Sequence, residues 1–286
     1  MKFKILALTL LFSLAQPALA LEQEETYTDL TPGSGMLDPA ALAELVRQGD
    51  IRAINNIGLL WAKGFDGKQS YEEALRWWKE AAQRGYTVAM NNIGLLYANG
   101  HGVALDMKQA FDWWHQAAFL GNAWAMNSVG DCYENGEGAQ KDFTMAMTWY
   151  RSAAEQGEAM AMYNIGALFE TAKGVDRDPA EALAWYRRAA ELGDASSMRA
   201  IARFYRTGEA VDKDAVEAYA WLSAADASFS AQDEKEAREN RGELTQLRGN
   251  LSAEQIDSAQ KRAEEIRAGV RKPAPSKPLQ PGESKT

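Results

Sequence analysis

Two histidines and one cysteine are the whole stock from which this chain could build a nucleophile–base pair or a zinc site. A hydrolase of the common kind sets a Ser or Cys nucleophile against a His base. Structural zinc takes four Cys or His ligands at short, regular spacings. His101 lies between Gly100 and Gly102 in a segment that reads as a turn, and His115 and Cys132 each fall inside helical patterns. The set is too small and too scattered for either chemistry, so no catalytic residue, metal or cofactor is expected. Gly100-x-Gly102 and Gly136-x-Gly138 have neither the strand nor the following Gly-Lys-Ser/Thr of a phosphate loop, and read as turns. Asn250-Leu251-Ser252 has the form of a glycosylation sequon, but Ser252 is better explained as a helix cap.

The residues that do recur are structural. From Gly58, steps of 36 residues reach Gly94, Gly130, Gly166 and then Ala202. Trp77 recurs as Trp113, Trp149, Trp185 and Trp221, and its neighbour Trp78 as Trp114, Tyr150, Tyr186 and Leu222. Ala74 and Ala81 keep the same register through every copy. A fixed period of this length marks a repeat architecture. It assigns the indoles to a core and not to a ligand cage. Cys132 takes the place of Leu60, Leu96, Leu168 and Phe204, so it too belongs to the core, and His115 takes the place of Lys79, Arg151 and Arg187 on an outer face.

Each copy reads as two helices. Ala89, Ile93, Leu96 and Tyr97 carry helical apolar spacing, a glycine-rich turn follows, and Ala110, Trp113, Trp114 and Ala117 form the inner face of a second helix. Ser70, Asp106, Asp142, Asp178 and Asp214 stand at N-cap positions before the second helices. Glu73, Gln109, Glu181 and Glu217 three residues on predict capping boxes in four of the five copies, with Met145 breaking the box in the third. Gly85, Gly121, Gly157 and Gly193 close the second helices.

The pattern Ala-Met-x-Asn-Ile-Gly-x-Leu-Tyr/Phe, then Asn-Gly-x-Gly, Asp, Ala and Trp-Tyr-x-x-Ala-Ala-Glu-x-Gly, fullest at Ala125 to Gly157 and Ala161 to Gly193, resembles the Sel1-like repeat of the tetratricopeptide superfamily. The resemblance implies an all-α solenoid of about five 36-residue helix-turn-helix units with a concave face, and an adaptor that binds proteins. In arrays of that kind the first helix of each unit lines the groove. The implied lining includes Asn55; Asn91, Asn92 and Asn99; Asn127, Asp131, Glu134 and Asn135; Tyr163 and Asn164; and Arg199, Arg203 and Arg206. Asparagine both donates and accepts, so an Asn ladder could hold an extended peptide by its backbone. Asn55, Asn91 and Asn127 depart from the repeat consensus and carry most of that expectation, while Asn56, Asn92 and Asn164 match it and could brace helices instead. The arginines lie at i, i+4 and i+7 and could grip an acidic segment, or pair with Glu234 to Glu239 of the same chain.

Lys2 and Lys4, the apolar run Ile5 to Leu14 and Ala18-Leu19-Ala20 predict a signal peptide over residues 1–20, cleaved after Ala20. No other stretch is long and apolar enough to suggest a membrane span. Residues 21–37 read as a loose acidic segment, 38–52 as an N-terminal capping helix, 53–228 as the repeats, 229–270 as C-terminal capping helices and 271–286 as a disordered proline-rich tail. A net charge of −9 argues against nucleic acid as a partner. The expected function is a periplasmic scaffold or adaptor that binds a protein or peptide segment. The alternatives are a cell-wall enzyme or a regulator of one, and a secreted factor that binds host proteins.

Overall fold

A computed structural model describes residues 39–64, 68–229 and 234–270. The segments read as signal peptide, acidic leader, first-repeat turn (residues 65–67) and proline-rich tail lie outside these residues. Thirteen α-helices and no strand occur among the described residues. After α1 (Pro39–Arg47) come five hairpins: α2 (Ile51–Lys63) with α3 (Tyr71–Gln83), α4 (Thr87–Asn99) with α5 (Met107–Phe119), and α6 (Ala123–Asn135) with α7 (Phe143–Glu155). The array continues with α8 (Ala159–Thr171) and α9 (Pro179–Ala190), then α10 (Ala195–Thr207) and α11 (Ala215–Ser228). Each helix packs on its hairpin partner and on the next in sequence, which is the contact pattern of an α-solenoid. None is long and apolar enough to cross a membrane.

The recurring glycine admits an aromatic ring to the surface of the first helix. A Cβ on Gly58 would stand 2.5 Å from Trp78 Nε1, one on Gly130 would stand 2.5 Å from Tyr150 Cε1, and one on Gly166 would stand 2.8 Å from Tyr186 Cε1. These are distances no side chain tolerates. The fifth repeat breaks both halves of the pattern together. Ala202 replaces the glycine where Leu222 replaces the ring, and both residues are buried.

Capping follows the sequence in one direction only. Ser70, Asp106, Asp142, Asp178 and Asp214 each accept a backbone N–H from the first turn of the second helix. The reciprocal bond from Glu73, Gln109, Glu181 or Glu217 is not made. The capping residue's own N–H already donates to the preceding helix: Ser70 to the Trp61 carbonyl, Asp106 to Tyr97, Asp178 to Phe169 and Asp214 to Tyr205. The four expected boxes are therefore one-sided caps. Ser252 and Gln255 form the complete box at the start of α13 (Ala253–Ala268).

The end of the array departs from the hairpin rule. α12 (Glu234–Arg248) and α13 both pack chiefly on α11. Ala259 and Ala263 of α13 join Ala218, Leu222 and Leu247 in one buried cluster, so the open end of the core is covered.

Candidate functional site

The asparagines expected to face a partner are turned inward. Asn55, Asn91, Asn92 and Asn127 are all buried. Asn92 Nδ2 donates to Asn55 Oδ1 at 3.2 Å, and Asn164 Nδ2 donates to Asn127 Oδ1 at 3.0 Å. The backbone carbonyls of Asn55 and Asn91 accept from Trp78 Nε1 and Trp114 Nε1 at 3.1 and 3.3 Å. This corrects the expectation of an open ladder at Asn55, Asn91, Asn92 and Asn127. First helices of successive repeats lie side by side, so part of the face each presents is covered by its neighbour. The Asn92–Asn55 and Asn164–Asn127 bonds bridge that contact, while the buried Oδ1 atoms of Asn91 and Asn92 meet no donor, each at a cost of about 1–3 kcal/mol. Asn99 and Asn135, near the helix C-termini, remain exposed.

In the third repeat the replacement of indole by phenol changes the bonding. Tyr150 Oη lies 2.7 Å from Asp131 Oδ1 and 3.0 Å from Glu134 Oε2. Asn127 Nδ2 and Asn164 Nδ2 donate to the two Asp131 oxygens at 3.1 and 3.0 Å. Lys173 Nζ donates to Glu134 Oε1 at 2.9 Å from the exposed rim. A phenol carries one proton and cannot donate it fully to two carboxylates. Burial raises the Asp131 pKa to about 6, Tyr150 opposes this through its hydrogen bond, and the Glu134 charge adds to it. The Tyr150 phenol is pushed up by burial and by the Asp131 and Glu134 charges, so it stays protonated.

The fourth repeat repeats the device with a different outcome. Tyr186 donates to Glu170 Oε2 at 2.8 Å, and Arg203 of the next repeat holds the same carboxylate with both terminal nitrogens, Nη2 at 2.7 Å. Burial works to raise the Glu170 pKa, but the Arg203 and Tyr186 hydrogen bonds and the Arg203 charge outweigh it and bring the pKa below the ordinary value. Tyr163, half-buried on the same helix, stacks at a tilt on Tyr186 with centroids 5.4 Å apart.

The arginine stripe is occupied from within the chain. Arg206 Nη1 meets Glu243 Oε2 at 2.6 Å, and Arg199 Nη2 meets Glu243 Oε1 at 3.1 Å and Glu239 Oε2 at 3.4 Å. Of the two roles open to Arg199, Arg203 and Arg206, the structure makes the internal one. Their partners are Glu239, inside the acidic run the sequence pointed to, Glu243 one turn beyond it, and Glu170 of α8. Tyr150, Tyr186 and Lys173 belong to the site and were not foreseen. The change from Trp to Tyr at the 36-residue register was the available signal for the two phenols.

The histidines stand apart. His101 stacks on Tyr71 with centroids 4.7 Å apart, and His115 lies between Phe111 and Trp149, each ring centroid 5.6 Å away. His115 is half-buried in this aromatic contact, not on the solvated face its register suggested. Cys132 is buried in the core, and its thiol is pushed up to about 12 by burial and by the Asp131 and Glu137 charges, which keeps it from acting as a nucleophile near neutral pH.

The Sel1 repeat family matches residues 51–86, 87–122, 125–158, 159–194 and 195–225. A Sel1 repeat protein from Oxalobacter formigenes is 32% identical at a TM-score of 0.59, over 68% of this chain and 82% of that one. A protective antigen present in uropathogenic Escherichia coli strains, with an SLR fold, is 27% identical at a TM-score of 0.68, over 81% of this chain and 48% of that one. This chain thus spans about half the length of that antigen. The curated proteins contain no match. Sel1 repeats commonly serve as protein–protein interaction scaffolds and are typically non-catalytic. With five consecutive matched repeats over more than half of its residues, the chain belongs to the Sel1 repeat family.

Proposed function

We propose that the chain is an exported scaffold that holds a segment of a partner protein along the face of its first helices. The observation that carries this reading is the carboxylate pair Asp131 and Glu134, which share the Tyr150 phenol and have between them one paired cation, Lys173 on Glu134. A partner's lysine or arginine placed there would bring a second positive charge to two carboxylates that have one between them. Beside it, Leu95 and Ala98 offer a partly exposed apolar stretch on the preceding repeat. The reading therefore favours an extended segment with a basic residue beside apolar ones. Export, with the periplasm as destination, rests on the charged start, apolar run and small-residue end of residues 1–20.

The test places a photo-crosslinking residue at Asn99 or Asn135, exposed on this face, with Lys79 on an outer helix as the control. The expected result in the native envelope is one discrete partner captured from Asn99 and Asn135 but not from Lys79. Asp131→Asn with Glu134→Gln should weaken that capture. Equal capture from Lys79, or capture indifferent to the double variant, would remove the first-helix face from consideration.

A further inference from the structure

The edge where each second helix hands over to the next first helix carries an apolar ridge that no packing requires. Phe119 is 80% exposed, Leu120 and Met160 50% each, and Trp124 38%. Trp124 and Met160 share one register, the second residue of successive first helices, so the ridge runs across neighbouring repeats. Large apolar side chains exposed at one edge of successive repeats mark a docking site. Its surroundings are acidic. Glu158 and Asp194 cap successive first helices and lie close enough to feel each other's charge, and Glu155 and Glu191 end the second helices beside them.

Three observations identify an occupant. Val270, the last described residue, packs at this same edge: its Cγ1 would lie 3.3 Å from a Cβ on Gly193, and it joins the cluster of Ala190, Ala195 and Met198. The residues after it carry Arg271, Lys272, Lys277 and Lys285 against the single acidic Glu283. They also hold Pro273, Pro275, Pro278 and Pro281 with Leu279 among them, the composition of a polyproline II ligand for an aromatic-lined surface. At about 3.1 Å per residue in that conformation, residues 271–286 span roughly 50 Å. Two repeat steps along the edge, at about 8–10 Å per packed helix, amount to at most roughly 40 Å, so Phe119 is within reach. The acidic segment at residues 21–37 has the wrong charge for this surface, and a second copy would bring the same acidic rim against its like.

We propose that residues 271–286 of the chain dock along the Phe119–Trp124–Met160 edge, their basic residues facing Glu155, Glu158 and Glu191. This is independent of what binds the first-helix face.

The experiment uses the full chain with a photo-crosslinking residue at Leu279, in an equal mixture of isotope-labelled and unlabelled protein, mapped by mass spectrometry. Expected are crosslinks within one chain to the peptides spanning 119–124 and 156–160. The exposed double substitution Phe119→Ser with Trp124→Ser should cut their yield by about tenfold, the change produced by roughly 1.4 kcal/mol of lost contact. Circular dichroism of that variant, unchanged from the parent, excludes unfolding as the cause. Crosslinks scattered over the surface, crosslinks only between differently labelled chains, or a yield indifferent to the double substitution would each overturn the proposal.

Discussion

Gly58 lies directly under the indole of Trp78, whose Nε1 donates past it to the Asn55 carbonyl at 3.1 Å. The absence of a side chain at residue 58 and the bulk of residue 78 are one feature, because the ring occupies the space a Cβ would need.

Gly58→Ala should therefore destabilise the protein by about 1–3 kcal/mol, the usual cost of overpacking, although alanine is the better helix former. Trp78→Leu alone should also destabilise, through the volume it removes. The two together should cost less than their sum, since Ala202 with Leu222 is the same pair already present in the fifth repeat. Urea denaturation of the four proteins in a double-mutant cycle checks this, with a coupling of roughly 0.5–3 kcal/mol expected. Strict additivity would show that the glycine serves some other purpose.

The repeat, its helices and its cap positions were legible in the sequence because each depends on residues close together or in one register. The depth of Asn55, Asn91 and Asn127 was not. They share one helical register, but a neighbouring first helix packs against that face, and a pairing such as Asn164 to Asn127 spans two hairpins. Likewise Asp131 and Glu134 looked like groove lining, since the phenol they share arrives from a different helix, 19 and 16 residues on. Phe119 could have been noticed: it stands where Gln83, Glu155 and Glu191 stand in other repeats.

Asp131 makes a pH prediction. Its folded pKa of about 6 lies above the ordinary 3.8, so the folded state holds the proton more tightly than the unfolded one. The slope of stability with pH is then negative for this group: its contribution grows as pH falls through about 6 and levels off near 3.8. Asp131→Asn should remove that gain. The difference in melting temperature between pH 7 and pH 5 should shift towards acid destabilisation in the variant relative to the parent. Parallel pH profiles for the two proteins would refute the assignment.

Arg203 and Glu170 make the opposite kind of pair. The Glu170 pKa lies below its ordinary 4.5, so its stabilising contribution is present above that value and is lost as pH falls through the folded pKa. Arg203→Ala leaves a mostly buried carboxylate without its bidentate partner. The cost should be about 1–3 kcal/mol at pH 7, smaller than for a fully buried pair because the guanidinium is partly exposed. It should shrink below pH 4.5 as the carboxyl takes up a proton. Adding Glu170→Gln to Arg203→Ala should recover part of the loss, measurable by denaturation at pH 7. No recovery would mean that Arg203 acts through packing over Phe204, on whose ring it also lies at 5.3 Å.

The difference between one-sided and complete caps gives the last prediction. Gln109 and Gln255 occupy the same position relative to their capping residues, and sequence alone treats them alike. At α5 the Asp106 N–H is already committed to the Tyr97 carbonyl at 2.9 Å, so a Gln109 side chain has no donor to meet. At α13 the Ser252 N–H donates to Gln255 Oε1 at 2.9 Å while Gln255 N–H donates to Ser252 Oγ at 3.2 Å. Gln109→Ala should then leave stability within about 0.5 kcal/mol of the parent, as exposed substitutions do. Gln255→Ala gives up a hydrogen bond worth about 0.5–1.5 kcal/mol and should fray the start of α13. Asp106→Ala should cost about 1 kcal/mol, because that side chain caps the Gln109 N–H at 3.0 Å. Hydrogen exchange of the first-turn amides separates the cases: fast exchange at α13 in Gln255→Ala, and no change at α5 in Gln109→Ala. If Gln109→Ala instead loosened α5, the N–H of Asp106 would have to be available to it, and the bond that joins each glycine-rich turn to the preceding helix would not be the one that fixes the hairpin.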